Sequence, residues 1–216
     1  MRSYDDIARR IAKIILSPES AIGFTHGILS EPTDIGYLAY GYMHTDGRYY
    51  RETEKIRMLK AIRHGILENH HFASTIETVL TLFNKNISEK KQDAIYAKTI
   101  ASIAGRVVTN AVVAGKLASS IAQRSSLLVK LRGGIVGNTL LIGGMMERCI
   151  YTSERLQRNN PEVYNALIPG NYDLLYFLVE PALHPFIEAL NIKRLHGLSA
   201  FEKILDKIEN EIKAKR

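Results

Sequence analysis

Glu68-x-x-His71, with His64 one turn earlier, is the nearest approach in this 216-residue chain to a metal-binding pattern. A carboxylate and an imidazole three residues apart share one helix face, and dimetal sites in helical bundles use that pair. Such sites need two copies of the motif and two further glutamates. Here one copy stands alone, because Glu180 and His184 are four apart with Pro181 between them. No metal is therefore expected. His64, His70 and His71 read instead as an exposed helix end, where imidazole suits the helix dipole.

Other chemistry is equally thin. Arg132-Gly133-Gly134-Ile135-Val136-Gly137-Asn138 echoes a phosphate-cradling turn, but no strand precedes it and no Gly-Lys-Ser/Thr follows. A corner between two helices is the better reading. Cys149 is the single cysteine, which excludes an intrachain disulfide and a multi-cysteine metal site. As a nucleophile it would need a histidine such as His184 or His196 beside it. A lone cysteine after an apolar helix is read as a small core residue. No serine elbow, zincin helix or nucleotide fingerprint is present. No catalytic residue, cofactor or metal is nominated, and a binding role is favoured over an enzyme.

Charge is more informative. Residues 94–146 carry six basic residues and no carboxylate, and 101–160 hold eight basic residues against two acidic ones, most of the net charge of +7. So concentrated a positive field favours an acidic protein surface, anionic lipid or nucleic acid. At ~100° per residue, Lys98, Arg106, Lys116 and Arg124 fall within an arc of about 80° on one helix. Ser102, Thr109 and Ser120 share that arc, while Ile100, Val107, Ala111, Ala114, Ala118 and Ile121 lie opposite. The spacing predicts a long helix over about 89–131 with cations outward and alanines inward.

A second candidate surface is aromatic. Tyr37, Tyr40, Tyr42, Tyr49 and Tyr50 cluster with Arg48 and Arg51, and Tyr and Arg are favoured at binding hot spots. Asp46-Gly47 between the aromatic runs is a hairpin signal, so one small hairpin over 37–51 is allowed for, with a tyrosine-rich loop over the helical core as the equal alternative.

The elements that would position these residues are helical. Ile7, Ala8, Ile11, Ile14 and Ile15 have helix spacing, and Ser17-Pro18-Glu19 reads as the cap of a short second helix. Helical spacing returns from Glu52 to Asn84 through Ile56, Leu59, Ile62, Ile66, Ile76, Val79, Leu80 and Phe83, with a break near Asn69. Ser88 is a plausible cap. Gly133-Gly134 ends the central helix, its partner runs over 135–158, and Asn160-Pro161-Glu162 starts a short one that Pro169-Gly170-Asn171 stops. Residues 172–190 are very apolar but hold Pro181 and Pro185, and so read as short buried pieces. Ser199 and Glu202 form a capping box before a last stripe of Phe201, Ile204, Leu205, Ile208 and Ile212.

The fold expected is all-α, seven to nine helices in one domain over 1–216. The function expected is a binding, adaptor or inhibitor-type protein that engages an acidic partner through Lys98, Arg106, Lys116 and Arg124, helped by the tyrosines. The alternative is a membrane-acting effector of colicin-like architecture built on the small-residue hairpin of 101–146. There Ala111-x3-Gly115 and Gly133-x3-Gly137 would let helices approach closely. The longest uncharged run, 133–146, is 14 residues, short of the ~20 that cross a bilayer. The first residues resemble neither a secretory signal nor a transit peptide, which makes the cytoplasm the default and leaves signal-less export open.

Overall fold

The computed structural model describes residues 3–19, 48–97, 106–124 and 139–215. It is an all-α helical bundle: α1 (Tyr4–Leu16), α2 (Arg48–Arg63), α3 (Asn69–Lys85), α4 (Glu89–Tyr96), α5 (Arg106–Arg124), α6 (Thr139–Asn159), α7 (Pro161–Leu167) and α8 (Tyr176–Ala214). Two 3-10 turns, Ile168–Gly170 and Tyr172–Leu174, join α7 to α8. Among the described residues there is no strand. Residues 48–51, the last four of the expected hairpin, are the first turn of α2, while Asp46-Gly47 lies outside the described residues. The short helix expected after Ser17 also lies beyond them, as do 98–105 and 125–138. The central helix is described as α4 and α5.

The core is built around the first part of α8. Ser3 caps α1, its hydroxyl accepting from the Asp6 N–H at 3.2 Å, and Ile7, Ala8, Ile11, Ala12, Ile14 and Ile15 are buried. This face packs on α8. From α3, Phe83 meets Phe186 and Phe201 edge-on, with ring centres 5.1 and 5.7 Å apart. A buried polar relay ties α3 to α4 and α5. The Tyr96 hydroxyl donates to Asn84 Oδ1 (2.9 Å), and Asn84 Nδ2 donates to Asn110 Oδ1 (2.7 Å). Burial pushes the Tyr96 hydroxyl above its ordinary value, although its bond to Asn84 pulls the other way.

Two expectations are corrected here. Beyond the short 3-10 turn Tyr172–Leu174, residues 176–190 are not short pieces, because α8 runs straight through Pro181 and Pro185. Each proline removes an N–H and crowds the preceding turn, at a cost of about 3 kcal/mol or more. Burial of Phe177, Leu178, Val179, Leu183, Phe186 and Leu190, at roughly 1.5–3 kcal/mol per large side chain, outweighs it. α8 breaks instead at Gly197 (φ 84°, ψ 177°), and the helix resumes at 198, one residue before the expected cap Ser199. The predicted stripe of Phe201, Ile204, Leu205, Ile208 and Ile212 is buried. Ser88 stands at the N-cap of α4, but its side chain makes no capping bond.

Candidate interaction surface

α2 is mounted with its apolar residues outward. Tyr49, Ile56 and Leu59 are 88%, 53% and 45% exposed, and Lys60 and Arg63 are exposed near them. The buried positions of this helix are Glu54, Met58 and Ala61. Spacing alone assigns Ile56 and Leu59 to a core stripe; the structure turns them to water.

The reason lies beneath α2, in a cluster of charges. Asp173, fully buried in the second 3-10 turn, receives both guanidinium arms of Arg57, at 2.9 Å (Nη1–Oδ1) and 2.7 Å (Nη2–Oδ2). Arg57 Nε donates to Glu54 Oε2 at 3.0 Å, and Nη1 also donates to Asn171 Oδ1 at 3.1 Å. The Ser153 hydroxyl of α6 donates to Asp173 Oδ2 at 2.7 Å. Asn171 reaches the cluster from a left-handed conformation (φ 56°), one that asparagine tolerates. Gly170 precedes it because a Cβ there would meet the Tyr172 ring at 2.6 Å. Beside this cluster Lys55 pairs with Glu147 of α6 (2.8 Å) and Glu52 (3.2 Å).

These contacts set the local electrostatics. Desolvation works against the charge on Arg57, but hydrogen bonds to Asp173 and Glu54 overcome it and hold the guanidinium above its ordinary value. The Tyr50 hydroxyl is pushed up to about 12, by burial first and then by Glu54. The Cys149 thiol is pushed well above its usual value by burial and then by Asp173. Its sulfur lies 3.2 Å from the Leu174 carbonyl oxygen. It is a core residue with no accessible thiolate.

Among the described residues, the other sequence-derived candidates fall on two helices. Arg48 and Tyr49 open α2, Arg106 and Arg124 are the first and last residues of α5, and Lys116 is exposed midway along α5. Ser120, expected beside the cations, is buried, and Ala111, expected inside, is exposed. Lys98, Tyr37, Tyr40 and Tyr42 lie outside the described residues. Glu68 is not on a helix face, because it is the extended N-cap of α3 (φ −74°, ψ 151°). Its Oε2 lies 3.4 Å from His70 Nδ1, and His71 turns toward Tyr172. Burial, then the neighbouring His70, lowers the pKa of His71. Among the described residues no three His, Cys, Asp or Glu side chains gather to hold a metal, and no helix is long and apolar enough to cross a membrane.

A cleft of about 350 Å³ opens between α6 and α8, lined in part by Arg155, Glu180, His184, Glu188, Asn160 and Asn191. Its polar groups satisfy one another: Arg155 binds Glu180, His184 Nδ1 lies 3.1 Å from Glu188, and Asn160 Nδ2 donates to Asn191 at 3.1 Å. No serine, cysteine or lysine is among these lining residues. The face of α2 is different: Tyr49, Ile56 and Leu59 on it are exposed. No protein-family model, curated protein or solved structure matches this chain, so the functional reading rests on this geometry.

Proposed function

We propose that the protein is a non-enzymatic binding protein that engages an acidic partner through the outer face of α2. The observation that carries this reading is the outward placement of Tyr49, Ile56 and Leu59 on a helix whose inner face is charged. Exposed apolar groups flanked by Lys60 and Arg63 suit a partner whose apolar patch is rimmed by carboxylates. The positive field would steer the encounter, with Lys116 and the arginines at the ends of α5 adding to it. Burial of the Tyr49 ring and the two aliphatic side chains would then hold the complex.

The test is differential capture at low salt. Immobilised wild-type protein is compared with the Ile56→Asp/Leu59→Asp double variant and with Lys60→Glu/Arg63→Glu. The expected result is a partner retained by wild type, lost from the first variant and weakened in the second. Identical retention by all three would overturn the reading.

A further inference from the structure

α2 has little apolar anchorage. Met58 is fully buried and Ala61 nearly so, Ile62 packs partly on the core, and the larger apolar groups Ile56 and Leu59 face water. Among the described residues, the charged ties from this helix to the rest of the bundle are the pairs of Arg57 with Asp173 and of Lys55 with Glu147. Ion pairs taken out of water return little net stability, because desolvation offsets most of their attraction, yet they fix register firmly. A helix of 16 residues draws most of its stability from packing rather than from its own propensity. An element with few buried apolar contacts opens at a lower free energy than the core.

We infer that α2 is a clamped strap: it is released from the bundle as a unit while α1, α3 and α8 stay folded, and the Arg57–Asp173 pair is the latch. This rests on the binding reading for its purpose but not for its test. In the docked state the outer face alone is offered; on release the whole circumference of the helix is, which is how a helix enters a groove. The latch joins α2 to a turn 116 residues away in sequence, and Ser153 of α6 holds the aspartate from the other side.

Native-state hydrogen exchange on the full chain, with no partner present, decides the matter. In wild type, amides of 48–63 are expected to exchange through an opening at least about tenfold more populated than that of 176–192. In Asp173→Asn the gap is expected to widen by about tenfold or more, because one charged partner of the half-buried arginine is gone. Lys55→Ala, at a less buried pair, should widen it less, and it serves with wild type if Asp173→Asn fails to fold. Exchange of 48–63 and 176–192 at one common opening free energy, shifted in parallel by the variants, would overturn the strap. That measurement involves no ligand, so its failure is separate from a failure of differential capture.

Discussion

Along 176–192 of α8, the four residues not buried are Glu180, His184, Glu188 and Asn191, a polar stripe on an otherwise enclosed helix. Along α2 the pattern is reversed: Glu54 is buried with Arg57 half-buried beside it, and Tyr49, Ile56 and Leu59 are in water. The first helix is held by area removed from water, which is cooperative and indifferent to direction. The second is held by pairs of charges, which are directional and individually breakable. The difference separates the part of the molecule that maintains the fold from the part suited to meet something else.

The comparison breaks if damage to the core is felt unevenly. Phe83→Ala empties the space between Phe186 and Phe201, which lie on either side of the α8 break, and should cost about 3–5 kcal/mol in denaturant unfolding. The loss should lower the protection of α1, α3 and α8 together. A loss confined to α3 would mean that the core is not one unit.

A smaller effect is expected at the break itself. Gly197 is exposed, and a Cβ there would touch nothing within 4 Å, so packing gives no reason for glycine. Its backbone gives one, because φ 84° with ψ 177° is a region that side chains with a Cβ avoid. Gly197→Ala should therefore cost about 1–3 kcal/mol, read from the urea midpoint. A neutral result would show that the two parts of α8 can rejoin without strain.

Much of the helical frame was legible in the amino-acid pattern. Local signals suffice where apolar residues keep helical spacing, as over Ile7–Ile15 and Phe201–Ile212, and where a cap precedes a proline at the first helical position, as at Asn160-Pro161. They fail where a distant residue decides. Pro181 and Pro185 look like stops until the burial around them is known. Ile56 and Leu59 look like core until Asp173 is found under Arg57. The periodicity of α2 allows either face to be inside, and the partner that chooses between them is 116 residues downstream. One weak local sign was present: Glu54 and Arg57 are three apart and so can pair on one face, beside Met58 and Ala61. Of the tyrosine cluster, Tyr49 and Tyr50 are both exposed, at 88% and 42%, and they belong to a helix rather than a loop.

The subtlest difference between the two helices should appear in alkali. Tyr50 on α2 holds its proton up to about 12, because burial and then Glu54 disfavour the phenolate. Lys55 is opposed by burial, but its bonds to Glu147 and Glu52 raise its pKa. Both groups are more strongly protonated in the folded protein than in the unfolded chain. Their contribution is therefore complete below about pH 10 and declines as pH climbs through the folded values, toward 12 for Tyr50. α2 should loosen in that window. Tyr176 at the start of α8, fully buried with its hydroxyl raised well above the ordinary value, should keep its proton longer. Absorbance at the tyrosinate band, followed with helical circular dichroism, reads both. Tyr50→Phe should remove one late-ionising phenol and make the loss of helical signal smaller in that window. If wild type and Tyr50→Phe lose helix identically there, Tyr50 has no part in seating α2, and the charges under the helix act without it.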